Sequence, residues 1–420
     1  MGSMLNIPSR MEGPEQKTII GKPEITVSSK GIANGKSVYL NDGADFGPDT
    51  KLGATTKGLY GPPFTTTNGI QEMFDSAYGN SDIDPGTSLR KWMPMTMLSG
   101  LYIVNSKIKP LIDNSHSAKI SLKSDGAVIA LGINDYCFEF LTPVNSSHIE
   151  FPIIYNNIGA SQTTGAIHLS EMINSYLSFE EILNFSATGC IGVFIDQTNS
   201  PAQGFFNNEI HLNFCNNNYN SLKINVLDHA TNANGFGGND IFIRQINGGT
   251  SDQIIINGTS VTPGNANANT FFNTIIENVA AGKYGIIDND GGNTIFINEL
   301  EFNINVSANA TLYDSIYVPS LYSASISNLS GKCRLFMSNP QGFAITTPAL
   351  PAAVGSTDAV TNTFPFAVRV FQAGESGTHI IDINGNDVLL PADPAEVTLD
   401  PGDKIYYATT VATSWKWYGC

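Results

Sequence analysis

Between residues 205 and 300 the chain repeats a short unit in which an asparagine precedes alternating apolar and polar positions. Four segments show the unit, NEIHLNF, NDIFIRQI, NTFFNTII and NTIFINEL, and they begin at Asn208, Asn239, Asn269 and Asn293. Alternation of this kind predicts a β-strand with one buried face. The asparagines lie 31, 30 and 24 residues apart, which indicates a repeated structural unit.

A second set of positions has the same period. The apolar runs VFID, NVLD, IIIN and GIID end at Asp196, Asp228, Asn257 and Asp288, which lie 32, 29 and 31 residues apart. The repeats carry no helical pattern between these strands. Short strands that recur about every 30 residues predict a right-handed parallel β-helix, in which each coil stacks on the previous one.

Stacked coils predict ladders of equivalent residues along the axis, because neighbouring strands lie about 4.8 Å apart. The four asparagines would form one ladder at a turn, with side-chain amides bonded from coil to coil. The second residue after each asparagine would fill the interior, which gives Ile210, Ile241, Phe271 and Ile295. The third would point outward, which gives His211, Phe242, Phe272 and Phe296.

A short amphipathic helix is predicted before the coils, near residues 68–78. Ile70, Met73, Phe74 and Ala77 follow the spacing of one helix face, and threonines and an asparagine precede them as capping candidates. We expect this helix to close the end of the β-helix.

The pattern and composition of the rest of the sequence predict the domain boundaries of an all-β protein. Residues 1–36 form a polar arm whose opening MGSM is typical of a cloning scar. The β-helix is assigned to residues 37–338, and a Pro/Ala/Thr-rich linker to 339–363. Residues 364–420 contain five or six strand patterns separated by turn residues, which predicts a small antiparallel β-sandwich.

Charge and cysteine usage exclude several classes of protein. Only 14% of the residues are charged and the net charge is −16, without a Lys/Arg cluster, which argues against a nucleic-acid partner. A neutral, cationic or metal-bridged ligand remains compatible. The sequence has no apolar run long enough to span a bilayer. The five cysteines lack CxxC spacing, which favours buried free thiols, although one disulfide would be compatible.

One pair of acids suggests catalysis. Glu209 and Asp240 occupy the same column of adjacent coils, so their carboxyls would lie about 5 Å apart. This is the separation of a retaining glycosidase pair, and proximity of like charges would raise the pKa of the general acid. His211 and Arg244 would face outward beside them as substrate-binding residues. The alternative is a pair of solvated turn acids flanked by a cation.

Aromatic side chains offer a second kind of candidate site. The outward Phe242, with Trp415 and Trp417 near the C-terminus, could stack on sugar rings. The alternatives are that the outward phenylalanines form a trimer interface and that the tryptophans belong to the core of the sandwich.

The column of Asp196, Asp228 and Asp288 could hold Ca²⁺ through carboxylate and carbonyl oxygens. The pattern favours the alternative, in which these acids are turn residues that accept backbone N–H bonds. No other cofactor is required.

Three stretches resemble a known family. NDGADFGPDT, TTTNGIQEMFDSA and AVIALG follow one another as at the start of pectin-lyase-like β-helix proteins, which include viral tailspikes. The resemblance covers about residues 36–335 and implies the same fold, with polysaccharide as the partner. Two departures are that NSDIDPGTSLRKWMPMTMLSG replaces the glycine-rich stretch after the cap helix and that GHG and RIK motifs are absent. No catalytic residue is therefore carried over.

These observations together predict an extracellular or virion-associated protein that binds and cleaves polysaccharide. Hydrolase chemistry is favoured over a lyase, because the coils contain few basic residues and an anionic uronate would meet an acidic protein. The alternatives are a non-catalytic tailspike-like adhesin and a structural surface or virion protein. Either could be a homotrimer.

Overall fold

The computed structural model describes most of the predicted β-helix and much of the C-terminal region. The described residues are 25–28, 31–33, 67, 70–79, 81–83, 87–92, 94–111, 115–197, 204–226, 235–258, 266–297, 302–310, 312–318, 329–337, 343–364, 366–373, 379–383, 386–390, 396–409, 411 and 414–419. Cys420, Asp228 and the DGA segment near residue 42 lie outside them.

Three sheets form a parallel β-solenoid, as predicted. The long sheet has 15 strands: Ile25–Ser28, Gly31–Ala33, Met95–Val104, Ser121–Leu131, His148–Phe151, Ile153–Asn156, Tyr176–Leu183, Glu209–Asn216, Asp240–Ile243, Ile246–Gly249, Thr270–Thr274, Ile276–Val279, Thr294–Ile297, Asp314–Val318 and Cys333–Met337. Gly31–Ala33 pairs antiparallel with Ile25–Ser28, and the others pair in parallel.

Two further sheets complete each coil. The second sheet has eight parallel strands: Phe138–Phe140, Gly165–Leu169, Ile191–Asp196, Asn220–Asn225, Ile254–Asn257, Ile286–Asp288, Ile304–Val306 and Leu329–Gly331. The third sheet has seven short strands: Asp82–Ile83, Leu89–Lys91, Ser117–Lys119, Val144–Asn145, Met172–Ile173, Phe205–Phe206 and Phe236–Gly237. The chain passes from the third sheet to the long sheet and then to the second sheet.

The alternation of the sequence decides which side chains fill the solenoid. Ile210, Ile241, Phe271 and Ile295 are all fully buried, as the pattern predicted. They pair directly, Ile210 with Ile241, Ile241 with Phe271 and Phe271 with Ile295. The interior is therefore a stack of apolar layers, with one layer from each coil.

The predicted asparagine ladder is present at the turn between the third and long sheets. The side-chain amide of each rung donates to the Oδ1 of the next, from Asn208 to Asn239, Asn269 and Asn293, at 2.9–3.0 Å. The same Oδ1 atoms accept the backbone N–H of the preceding rung. The ladder thus satisfies polar groups that the turn would otherwise bury without partners.

The predicted cap helix is Ile70–Gly79. Its Ile70, Met73, Phe74 and Ala77 are fully buried. The Phe74 ring packs edge-on against Phe140 with centroids 5.8 Å apart. The helix therefore covers the apolar end of the first coils. Short 3₁₀ turns occur at Gly159–Ser161 and Ser356–Asp358. Within the described residues, no helix is long and apolar enough to cross a membrane.

The C-terminal region contains two antiparallel four-stranded sheets. One has the strands Phe343–Ala344, Val368–Ala373, Glu396–Leu399 and Ser414–Gly419. The other has Val360–Thr361, His379–Ile383, Asn386–Leu390 and Lys404–Tyr407. Two of these strands, Phe343–Ala344 and Val360–Thr361, fall inside the stretch predicted as a linker. Each is a strand because it pairs with a strand of the C-terminal sheets.

The cysteines confirm the prediction of free thiols where they are described. Cys137, Cys190, Cys215 and Cys333 are free and buried. Burial raises the pKa of the Cys190 thiol to about 11 and that of the Cys215 thiol to about 12, so both thiols are protonated at neutral pH.

Two glycines give a matched test of how tightly the coils stack. Gly331 has a φ of 77°, and a Cβ there would lie 1.6 Å from the Val306 carbonyl oxygen on the neighbouring strand. Gly248 has a similar φ of 68° but open space around it. We expect Gly331→Ala to lower the free energy of unfolding by about 2 kcal/mol, from backbone strain and the clash together, and Gly248→Ala by about 1 kcal/mol, from strain alone. Urea unfolding measures both, and equal losses would contradict close stacking at Gly331.

Candidate functional site

Eight stacked rings run along the outer face of the long sheet, and we call them the ring ladder. Its members are His148, Tyr176, His211, Phe242, Phe272, Phe296, Tyr317 and Phe336. Neighbouring ring centroids lie 4.4–5.5 Å apart, with interplanar angles of 37° or less. The outward direction of His211, Phe242, Phe272 and Phe296 was predicted from the alternation, whereas the extension in both directions was missed.

The ladder arises from parallel register. His211, Phe242 and Phe272 pair directly on successive strands, so their rings stack at the strand spacing. Tyr176 pairs instead with Glu209, and its ring reaches His211 diagonally at 5.1 Å.

Stacking also determines what the ladder can offer a ligand. Each inner ring covers the faces of its neighbours, so the rings present mainly their edges to solvent. Phe296, Tyr317 and Phe336 are the most exposed phenyl and phenol groups of the ladder, at 38%, 36% and 42%. A sugar ring cannot lie flat on Phe242 in this arrangement, so it would meet ring edges and the polar column beside them, which consists of Glu209, Asp240, Thr270 and Thr294.

The acid pair lies in that polar column. Glu209 and Asp240 are direct partners on adjacent parallel strands, which confirms the register on which the prediction depends. Both side chains are exposed. His211 Nε2 donates to Glu209 Oε1 at 2.7 Å, so one member of the pair is held by the ring ladder. Arg244, at the end of the same outer face, is also exposed.

A cluster of charged groups on the second sheet was missed by the sequence analysis. We call it the polar cluster, and its members are Lys107, Lys109, Asp135, Tyr136, Glu139, His168 and Asp196. The side chain of Glu139 is 8% exposed and contacts Lys107 Nζ at 2.8 Å and Lys109 Nζ at 2.6 Å. Lys107 Nζ also lies 2.9 Å from Asp135 Oδ1.

Mutual attraction outweighs burial in the polar cluster. Burial alone would raise the pKa of Glu139, but Lys107 and Lys109 hold it below its ordinary value. Burial would lower the pKa of Lys107, yet Glu139 and Asp135 raise it. Burial raises the pKa of the Tyr136 phenol, and the charge of Asp196 adds to this effect. Glu139 and Lys107 therefore remain charged at neutral pH.

His168 occupies the centre of the polar cluster. Its ring contacts those of Tyr136 and Phe194, with centroid distances of 4.9 and 5.1 Å, and these two rings are 6.3 Å from each other. Its nitrogens lie 3.5 Å from Glu139 Oε1 and 3.8 Å from Asp196 Oδ2, and both are buried without a hydrogen bond. Since these atoms do not reach solvent, the polar cluster joins coils rather than offering an open catalytic centre.

The residues predicted as a calcium column have other partners. Asp196 belongs to the polar cluster, and Asp288 is buried and accepts the backbone N–H groups of Asp290 and Gly291. The predicted residues do not share one register position, because Asp196 pairs with Asn225, which pairs with Asn257, whereas Asp288 pairs with Ile256. The side chain of Asn257 donates to Asn225 Oδ1 at 2.7 Å. No group of three or more metal-ligating side chains occurs among the described residues.

The two tryptophans share one face of their strand, and the structure places that face inside the sandwich. Trp417 is fully buried, so its ring is out of reach of a ligand at the surface. Trp415 is half-buried, and its Nε1 donates to the Pro348 carbonyl oxygen at 2.8 Å. The core alternative fits Trp417, because the inner faces of both sheets are apolar and need a large side chain to fill them.

Comparison of the chain with protein-family models, with curated proteins and with solved structures finds no match.

Proposed function

We propose that the protein binds polysaccharide along the outer face of the long sheet and hydrolyses it at Glu209 and Asp240. The direct pairing of these two exposed acids beside the ring ladder carries the proposal. A solenoid face offers equivalent positions on successive coils, which suits a chain-like ligand. We also propose membership of the pectin-lyase-like superfamily and an extracellular or virion-associated location, in line with the resemblance of the N-terminal coils.

The contacts of the acid pair suggest how the roles divide. His211 donates to Glu209 and holds its carboxyl in one orientation beside Asp240. Glu209 therefore serves as nucleophile, and Asp240 as the acid that protonates the leaving glycosidic oxygen. Attack of Glu209 on the anomeric carbon would break the glycosidic bond and form a bond between the sugar and Glu209. Water would then release the sugar from Glu209 while Asp240 takes up the proton of the water.

The test is turnover on a panel of polysaccharides. It is measured through the appearance of new reducing ends and through the ultraviolet absorbance of unsaturated uronates. We expect reducing ends alone, and Asp240→Asn and Glu209→Gln should each lower the rate by about 10³-fold. Glu277→Gln is the matched control, because Glu277 lies on the same sheet but its side chain accepts a hydrogen bond from Gln245. Full activity in folded Asp240→Asn would refute the acid pair, and unsaturated products would indicate a lyase.

A non-catalytic adhesin is the second candidate, and one observation favours it. Both carboxyls are exposed to water, whereas an acid that works at neutral pH usually lies in a dry environment. Binding without turnover across the panel would support this candidate. A trimer by light scattering would indicate instead that the exposed Phe296, Tyr317 and Phe336 lie between copies of the chain.

A further inference from the structure

The asparagine ladder ends in a carboxyl group. Asn293, the last asparagine of the ladder, donates its backbone N–H to Asp314 Oδ1 at 2.9 Å. Asn239, Asn269 and Asn293 accept the same bond through an amide oxygen. The NH₂ groups of Asn239 and Asn269 donate to the next rung, and that of Asn293 donates to Asp288. An ionised aspartate at the equivalent position has no hydrogen to donate. The terminal rung therefore differs chemically from the rungs before it.

A second carboxyl lies beside Asp314, because Asn293 bonds Asp314 through its backbone N–H and Asp288 through its side chain. Asp288 is fully buried, and its oxygens already accept three N–H donors, from the backbone of Asp290 and Gly291 and from the side chain of Asn293, at 2.6–2.8 Å. Asp314 is also fully buried, and its Oδ2 has no hydrogen-bond partner. The donors thus surround Asp288, whereas one oxygen of Asp314 faces none.

The other titratable groups nearby do not neutralise the pair. Asp290 is buried and accepts the Ala266 N–H, and Cys333 pairs directly with Asp314 on the next strand. Lys332 donates its ammonium group to the Ala310 carbonyl oxygen, and Arg334 lies over the Tyr313 ring at 4.7 Å. In the described part of the chain, neither Asp288 nor Asp314 forms an ion pair.

We propose that Asp314 carries a proton in the folded protein at neutral pH, that its Oδ2 donates this proton toward Asp288, and that the proton holds the final coils together. Two adjacent carboxylates without a cation cannot both remain charged in a dry interior. Asp314 takes the proton because its Oδ2 has no donor, whereas the oxygens of Asp288 already accept three N–H groups. The last rung then donates a hydrogen, as the amides before it do.

The pH dependence follows from this arrangement. Burial, and next the charge of Asp288, raise the pKa of Asp314 well above its ordinary value of 3.8. The folded state therefore binds this proton more tightly than the unfolded chain does. The stabilisation is complete below pH 3.8 and is lost as the pH rises toward the folded pKa. The final coils should be strengthened by acid and weakened by alkali.

The experiment compares the wild type with Asp314→Asn by urea unfolding at several pH values between 5 and 9. One linked proton lowers the folding equilibrium constant of the wild type tenfold per pH unit wherever only the folded state is protonated. Asp314→Asn supplies the amide found at the other rungs, so it should lack this slope and exceed the wild type at high pH. Asp252→Asn is the control, because Asp252 is half-buried and its carboxyl accepts the Tyr284 N–H. It should keep the slope.

Two further readouts make the test local. Hydrogen exchange in Asp314–Val318 and Cys333–Met337 should accelerate with pH beyond the intrinsic rate in the wild type only. Infrared spectra of the wild type at pH 7 should show a protonated carboxyl band that Asp288→Asn shifts, which keeps the proposal testable if Asp314→Asn fails to fold. A slope unchanged in Asp314→Asn, or no protonated band at pH 7, would overturn the proposal.

Discussion

Replacement of Asn239 by alanine is expected to lower the free energy of unfolding by about 5 kcal/mol, the largest loss we foresee for a single side chain. Asn239 is fully buried. Its Oδ1 accepts both the backbone and the side-chain N–H of Asn208 at 3.0 Å. Its Nδ2 donates to the Phe205 carbonyl oxygen at 3.1 Å and to Asn269 Oδ1 at 2.9 Å.

The size of this loss comes from the groups left behind. Alanine leaves two N–H donors of Asn208 and the Phe205 carbonyl oxygen buried without these hydrogen bonds, and each such group costs about 1–3 kcal/mol. Asn289→Ala is the matched control, since Asn289 is exposed and donates only one side-chain bond, to Asn257. Urea unfolding should show a change below about 1 kcal/mol there. Similar losses in the two variants would mean that the ladder contributes little.

Replacement of Glu139 by alanine is expected to lower the free energy of unfolding by about 3 kcal/mol at pH 7. The buried carboxylate contacts Lys107 and Lys109 from one neighbouring coil and lies near His168 on the other. Its removal leaves Asp135 as the ion-pair partner of Lys107 among the described residues. Lys109 is 56% exposed and can return to water, so we take the low end of the range for a broken buried pair.

The same variant has a defined pH dependence. Because the lysines hold the pKa of Glu139 below its ordinary value of 4.5, its stabilisation is present above that pH. It is lost as the pH falls through the folded pKa, so the difference between wild type and Glu139→Ala should shrink in acid. Unfolding at pH 7 and at pH 3 measures this change, with the exposed Glu180→Ala as control. A difference that stays constant with pH would contradict the charged contact.

The repeat period made much of the fold predictable from sequence. Asn208 and Asn239 begin equivalent strands, so a period of about 30 with alternation suffices to place the ladder and the interior. The pairing of Glu209 with Asp240 followed from the same alignment, and the structure confirms it. The turn geometry also has a local signal, because the residues before the rungs, such as Asn207 and Gly238, have positive φ.

The polar cluster and the full ring ladder could not be predicted from local motifs. Glu139 and His168 lie 29 residues apart and belong to no motif, and only extension of the repeat upstream would have placed them in one column. Tyr176 joins the ring ladder out of register, which follows from its side-chain direction and not from spacing. Trp417 shows the converse, because the alternation that aligned it with Trp415 did not say which face was covered.

Asp314 illustrates another feature that the sequence alone could not predict. Asp314 ends the series of asparagines, and in sequence this replacement of asparagine by aspartate looks like an ordinary polar substitution at a turn. Only the three-dimensional contact with Asp288 shows that the two acids share one buried space. The chemistry of that rung therefore depends on a residue 26 positions away in another sheet.

The coil-to-coil register has a consequence for how such a protein can change its length. Excision of residues 239–268 would join Gly238 to Asn269, and Gly238 and Ala268 share the same left-handed conformation, with φ of 64° and 57°. Asn208 would then meet Asn269, and His211 would meet Phe272, so both ladders would continue with one coil fewer. Glu209 would face Thr270 and lose its acidic partner. Length is thus an adjustable property of the scaffold, whereas the acid pair depends on one particular coil.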